Sequence, residues 1–314
     1  MTDRSDITYP APLRPDDTIG VVAPASRPDP EHLERGEAVL RDQGFRVERA
    51  TNLGHSSRFA AGDADVRCRE LRRMFERPDI DGVFCARGGK GTIHLVDRFL
   101  NGVEPSHPKP FVGYSDVTLL QMGLFATRGW ITFSGPMVAT ELGRDRLDDP
   151  ALAQFWHILT SAPGEWDLSF PQQDLRAWES GTATGPLLGG CLSMVQTLLG
   201  TPFMPDLEDA LLVLEDVDEE PYRIDRMLHH LRLSGVLDQI GGLVIGGFDT
   251  CFQEEKDESS LRDIVLDVLP PGYDLPVVSG LSYGHRLPSL RTLPIGVTAR
   301  LRTDPPGLEL FPGT

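Results

Sequence analysis

FVGYSDVTLL, residues 111–120, is the stretch on which the reading of the first half turns. From Pro110 to Tyr114 the residues have the continuous apolar character of a buried strand. From Ser115 to about Thr127 they follow a helical pattern instead. A strand that passes so abruptly into a helix leaves one side chain at the crest of the turn, and here it is Ser115. Two roles suit a serine in that place. It caps the helix by accepting a backbone N–H bond, or it stands clear as a nucleophile. A serine nucleophile needs a base, and the base needs an orienting partner. The G-x-S-x-G elbow is half matched, with Gly113 present and Val117 in place of the second glycine.

The same alternation extends outward in both directions. TIGVVAPAS (18–26) reads as a strand, PEHLERGEAVLRDQG as a helix closed by Gly44, and FRVERAT as a second strand. DADVRCRELRRMFERPD sets Val66, Leu71 and Phe75 among charges, as an amphipathic helix does. GVFCAR (82–87) is a third strand, followed by a helix from about Thr92 to Leu100. After the opening stretch, WITFSGP adds a strand and RDRLDDPALAQFWHILT a helix. Strands spaced by helices imply right-handed crossovers and a mainly parallel sheet covered on both faces. Ligands of such α/β sheets sit at the carboxyl ends of the strands, where Ser115 and the Gly88-Gly89 turn fall.

From residue 161 the periodicity fades, and SAPGEWDLSFPQQDLRAWESGTATG is rich in Pro, Gly and Ser. The expected division is therefore an N-terminal domain over 1–160, a connection over 161–184 and a C-terminal domain over 185–314. The second half mixes a helix after Gly190, the strand LLVLE (211–215) and a helix from Pro221 to about Leu233. GGLVIGGF, PVVSG, PIGVTARLR and GLELF read as further strands, which points to an α+β or barrel-like domain.

A length of 314 residues is consistent with two domains. Lys and Arg number 30 against 47 Asp and Glu, a formal charge of −17. A field of that sign repels phosphate backbones and anionic lipid, so neither nucleic acid nor membrane is expected as a partner. An anionic substrate would need local arginines. MTDRSDITYPAP has no apolar leader pattern, and no apolar run approaches the ~18 residues of a membrane span. Cys68, Cys85, Cys191 and Cys251 are scattered without a C-x-x-C pair, as reduced thiols of a cytoplasmic protein would be. Neither H-E-x-x-H nor a Cys/His cluster is present, and no metal is expected.

RGGKGT, residues 87–92, resembles a phosphate loop only superficially. G-x-x-x-x-G-K-[ST] would need Gly where Phe84 stands and Ser or Thr where Gly91 stands. What remains is a glycine turn that either exposes backbone N–H groups or is simply tight. Of the eight histidines, His32, His94, His157, His229 and His230 lie on helical patterns, and His55 and His107 in polar loops. His285 sits in SYGHRLPSLRTLPIG, a Gly- and Pro-dense loop between strands, where functional residues often lie. The residues alone leave a structural role equally open. In LLVLEDVDEEPYRIDRML, Asp218, Glu219 and Glu220 suit the start of a helix with Pro221 near its first turn. Glu215 instead ends an apolar strand, where a carboxylate needs a partner, and imidazole is a natural one.

In order, TIGVVAPAS, GDADVR, CARGGKG, VGYSDVT, GPLLGGCL, LLVLEDVDEEPYRIDRML and YGHRLPSLRTLPIGV resemble the LD-carboxypeptidase family of serine peptidases nearly end to end. That family also contains the microcin C immunity proteins. The resemblance implies a triad of Ser115, His285 and Glu215, and an oxyanion hole made by the N–H groups of Gly89 and Asp116. It implies an α/β fold with a flavodoxin-like N-terminal domain, a smaller β-rich C-terminal domain, and a site between them. It implies no cofactor, and as substrate a small muropeptide: the murein tetrapeptide, which loses its terminal D-alanine in wall recycling. Arg87 is the candidate to grip the terminal carboxylate, with a structural salt bridge as its alternative role. Three positions depart from the family's habit: Lys90 for tyrosine, Cys191 for asparagine and Ser134 for histidine. They bear on the pocket and leave the triad intact. The competing readings are an immunity-type amidase acting on aminoacyl-nucleotide conjugates and a non-catalytic peptide-binding protein. Oligomeric state stays open, with a homodimer among the options.

Overall fold

The structure, a computed structural model, describes residues 7–102, 107–166, 174–252, 259–269, 272, 274–286 and 288–311. The first six residues, read as lacking a leader, and residues 167–173 of the expected connection lie outside the described residues. The first half contains β1 (Thr18–Val22), α1 (Pro30–Asp42), β2 (Arg46–Arg49), α2 (Ala64–Glu76), β3 (Gly82–Cys85) and α3 (Val96–Leu100). It continues with β4 (Phe111–Gly113), α4 (Thr118–Arg128), β5 (Thr132–Ser134) and α5 (Asp149–Thr160). Local chemistry explains the boundaries. Asp29 accepts the His32 N–H at 3.0 Å with Pro30 in the first turn of α1, and Gly44 beyond its end takes φ +88°.

These strands form a six-stranded sheet in the order β11-β5-β4-β3-β1-β2. The 2-1-3-4-5 succession within it is the flavodoxin-like order. Its outer strand β11 (Leu293–Ile295) comes from far along the chain and runs antiparallel to β5. The second sheet is built from β6 (Arg176–Glu179), β7 (Thr182–Cys191), β8 (Leu211–Val217), β9 (Gly242–Asp249), β10 (Val277–Ser279), β12 (Thr298–Thr303) and β13 (Pro306–Leu310). Its centre, β7 to β10, is parallel, and β12, β13 and β6 flank it antiparallel. α6 (Leu192–Leu198), α7 (Pro221–Leu233), α8 (Val236–Gln239) and α9 (Leu261–Val268) accompany it.

One apolar cluster runs continuously through both sheets. α4 is buried over its first seven residues, Thr118 to Leu124, because it packs against β5 on one side and α6 and β7 on the other. The helix that follows Ser115 is thus the wedge between the two sheets. Among the described residues no helix is long and apolar enough to cross a membrane. The four cysteines are all buried and free.

Several elements differ from the sequence reading. The expected connection carries β6 and the first residues of β7; β6 is mostly exposed, so it shows no apolar period. PIGVTARLR is split by Gly296, at φ +98°, into β11 of the first sheet and β12 of the second. Ser115–Val117 and Thr92–His94 are single 3₁₀ turns ahead of α4 and α3. A π-helical turn, Val138–Leu142, was not foreseen, since its residues read as neither period.

Candidate active site

Ser115 is not the cap of its helix. Tyr114 is extended at φ −156°, and Ser115 itself takes φ +65° in the left-handed region. That conformation costs an L-residue about 1–2 kcal/mol. Two glycines give the bend its space. A Cβ on Gly88 would stand 2.8 Å from the Ser115 Cβ, and one on Gly113 would stand 3.1 Å from the Cys85 Cβ. The strain turns the Ser115 hydroxyl away from the helix and toward His285, whose Nε2 lies 2.8 Å away.

His285 rides on the loop that leaves β10 in one sheet and enters β11 in the other. The loop is fixed from both sides. The Tyr283 carbonyl accepts the Gly247 N–H at 2.7 Å, and the Arg286 N–H bonds Asp249 Oδ2 at 2.9 Å. The buried hydroxyls of Tyr283 and Ser134 meet at 2.6 Å, tying the loop to the end of β5. The Tyr114 ring packs against the imidazole with centroids 5.0 Å apart, and its hydroxyl donates to Glu141 Oε1 at 2.8 Å.

Glu215 lies on β8, wholly enclosed. Opposite it the β8–β9 register slips between Leu214 and Asp216, so β9 has one residue more over this span. Such a bulge re-aims a side chain. The extra room is glycine: a Cβ on Gly246 would lie 2.3 Å from the Tyr283 carbonyl oxygen. Glu215 Oε2 meets His285 Nδ1 at 2.6 Å. Residues 70 and 170 positions apart thereby form one line, carboxylate to imidazole to hydroxyl. A carboxylate at this distance favours the Nδ1–H tautomer, and that tautomer can accept a hydroxyl proton at Nε2.

The electrostatics follow from burial. Burial pulls the His285 pKa down, but the Glu215 charge and hydrogen bond outweigh it and leave the imidazole above its ordinary value. Burial raises the Glu215 carboxyl despite the imidazole beside it. The two shifts are not reciprocal because Glu215 is fully enclosed, whereas the His285 side chain keeps 16% exposure. Glu215 Oε1 is buried with no hydrogen-bond partner among the described residues.

The glycine turn is pinned beside Ser115. The Lys90 N–H bonds Ser26 Oγ at 3.1 Å, Arg67 Nη1 donates to the Gly91 carbonyl at 2.9 Å, and the Thr92 N–H donates to Asp116 Oδ2 at 2.8 Å. The last bond joins the turn bearing Gly89 to the turn bearing Asp116. Gly89 takes φ +114°, and a Cβ there would fall 2.4 Å from Ser26 Oγ. Arg87 is half-buried, and among the described residues it forms no ion pair. Of the three departures from the family's habit, Ser134 is buried against Tyr283 and Cys191 is buried beside Ser193, while Lys90 is exposed.

A cavity of about 330 Å³ opens beside the imidazole, lined by Glu141, Arg146, His285, Arg286, Pro288 and Leu290. Tyr114, Glu141 and Arg146 were not singled out from sequence. Tyr114 looks like an ordinary strand residue and Glu141 lies in a stretch without a clear period until the fold pairs them, and Arg146 is one arginine of a charged turn. Among the described residues no group of three or more His, Cys, Asp or Glu could hold a metal.

Comparison with known proteins agrees along the chain. Residues 19–135 match the LD-carboxypeptidase N-terminal domain, and residues 184–301 the LD-carboxypeptidase C-terminal domain. A probable murein peptide carboxypeptidase of Bacillus subtilis is 35% identical over 294 residues, covering 94% of this chain and 91% of that one. The crystal structure of muramoyltetrapeptide carboxypeptidase from Oxalobacter formigenes is 30% identical, with a TM-score of 0.76 over 93% of this chain and 98% of that one. The MccF-like protein from Bacillus anthracis, 24% identical, shares the fold with a TM-score of 0.84 over 97% of this chain and 99% of that one. With both of its domains matched, and in their order along the sequence, the chain belongs to the LD-carboxypeptidase family.

Proposed function

We propose that the protein is a serine LD-carboxypeptidase that releases the terminal D-alanine of murein tetrapeptide through an acyl-enzyme. The observation that carries the proposal is the unbroken hydrogen-bonded line from Glu215 through His285 to a serine held in a strained turn. Ser115 Oγ attacks the carbonyl carbon at the L-centre of diaminopimelate while His285 Nε2 takes its proton. The imidazolium is stabilised by Glu215. The Gly89 and Asp116 N–H groups bind the oxyanion, a contribution of about 10²–10³ in rate per donor. The intermediate collapses with cleavage of the C–N bond, and His285 returns the proton to the leaving amine. Water, deprotonated by His285, then attacks the acyl carbon and releases the tripeptide from Ser115. No cofactor takes part. The proposal extends to a cytoplasmic role in wall recycling, to which four buried, free cysteines are suited.

The test is mass spectrometry of a tetrapeptide muropeptide after incubation with the protein and with Ser115→Ala. Release of one D-alanine by the wild type alone is the expected result. No release, with ready hydrolysis of an aspartyl-adenylate analogue, would transfer the chain to the immunity-type reading. Binding of the peptide without turnover of any amide would make it a non-catalytic binder.

A further inference from the structure

The cleavage proposed above determines where the departing residue sits. His285 must hand its proton to the leaving nitrogen, so that nitrogen lies within hydrogen-bond reach of Nε2. The terminal carboxylate hangs from the same α-carbon as that nitrogen. The cavity of about 330 Å³ that His285 lines is the space beside the base able to receive it, and a cation in its wall is a candidate partner.

Two guanidinium groups line that cavity, and they are not equivalent. Arg286 is already neutralised by Asp218, with bonds of 2.9 and 3.1 Å. Arg146 is exposed, and among the described residues its side chain forms no ion pair or hydrogen bond. The one acid in the wall, Glu141, is occupied: its oxygens accept from the Tyr114 hydroxyl at 2.8 Å, the Met137 N–H at 3.0 Å and the Thr140 hydroxyl at 2.7 Å. On its other side Arg146 borders a groove with Arg35 and Arg144 against a single acid, Asp145. The turn that bears Arg146 is also stitched to the base. The Arg146 N–H bonds the Glu141 carbonyl at 3.2 Å, and the Asp148 N–H bonds the Pro288 carbonyl at 2.8 Å. Arg87, the arginine singled out from sequence, does not line this cavity.

We infer that Arg146 binds the terminal carboxylate of the substrate and so confines cleavage to the last residue. The inference rests on the carboxypeptidase reading and names its specificity residue. A planar guanidinium meets a carboxylate with two parallel hydrogen bonds, which an amide terminus does not offer.

The test is calorimetric binding of the tetrapeptide and of its C-terminal amide to full-length Ser115→Ala, alone and combined with Arg146→Ala, Arg146→Lys or Arg87→Ala. The acid should bind Ser115→Ala about tenfold or more tighter than the amide, the loss of one charge-assisted pair. Arg146→Ala should erase the preference, Arg146→Lys keep part of it, and Arg87→Ala leave it unchanged. A preference that survives Arg146→Ala, collapses in Arg87→Ala, or is absent from Ser115→Ala overturns the inference. Wild-type release of D-alanine judges the reaction separately. Arg146-dependent binding without cleavage would sink the reaction and leave the carboxylate site standing, and cleavage without that dependence would do the reverse.

Discussion

Glu215→Gln isolates the part of the site that burial makes most consequential. The substitution keeps the side-chain volume and removes one charge from a fully enclosed position 2.6 Å from His285 Nδ1. Two effects combine. The carboxylate no longer stabilises the imidazolium that forms as Ser115 attacks. The new amide can also present its NH₂ to Nδ1, which moves the imidazole proton to Nε2, where it blocks acceptance of the serine proton. Replacing the equivalent acid by its amide in a serine protease lowers kcat about 10⁴-fold, or about 5.5 kcal/mol of barrier at 1.36 kcal/mol per decade. A loss of about 10³–10⁴ in kcat is expected here for the same reasons. Stability should respond differently. Burial raises the Glu215 carboxyl, and among the described residues its Oε1 has no partner, so above the raised pKa losing the charge offsets part of the lost pairing with His285, and Tm should change far less than kcat. Release of D-alanine reads the catalytic loss, and the labelling rate of Ser115 by a fluorophosphonate reads it independently of the peptide. Labelling and turnover within about tenfold of wild type, in a folded variant, would refute the coupling of Glu215 to the nucleophile.

Three further outcomes are expected. Wild-type kcat/KM should fall as the pH drops through the His285 pKa; because Glu215 raises that pKa, the acid limb should lie above the ordinary ~6.5 and slide down in Glu215→Gln. The stability link has the matching sign: the stabilisation from a raised folded-state pKa is fully present below the unfolded value and is lost as pH rises through the folded one; a kcat/KM profile flat from about pH 5 to 8 would contradict the role given to His285. Gly88→Ala places a methyl group 2.8 Å from the Ser115 Cβ and 3.0 Å from its Oγ, so kcat should fall about 100-fold with little change in Tm; wild-type turnover would show that the elbow has slack. Ser134→Ala and Tyr283→Phe each strand one hydroxyl of a buried pair at 2.6 Å, costing about 1–3 kcal/mol in urea unfolding; the double variant should recover part of this, and strict additivity would deny the link between β5 and the His285 loop.

Much of the first sheet was legible because hydrophobic period is a local property. Burial of one face repeats along a helix at 3.6 residues and along a parallel strand as an apolar run, so β1, β3 and β4 and α1, α2 and α4 stand out in the residues themselves. Where burial is slight the signal vanishes, as in the largely exposed β6. Where one apolar run serves two sheets it misleads, as in PIGVTARLR. The candidate site residues were legible by their oddity: a serine at an abrupt strand-to-helix turn, a carboxylate ending a buried strand, a histidine in a Gly- and Pro-rich loop.

Residue order alone left each of the three with a bland alternative, and what the tertiary structure adds is their pairing into one hydrogen-bonded line. Ser115 reads as a cap until φ +65° turns its hydroxyl from the helix toward the imidazole. His285 reads as a loop residue until β10 and β11, belonging to different sheets, stretch that loop across the gap between them. Glu215 acquires its partner through a register slip opposite Gly246, and Arg146 its place through one backbone bond from Asp148 to Pro288. Local pattern reports which face of an element is buried. It carries no information about which distant element does the burying, and every contact that makes the site depends on that second fact.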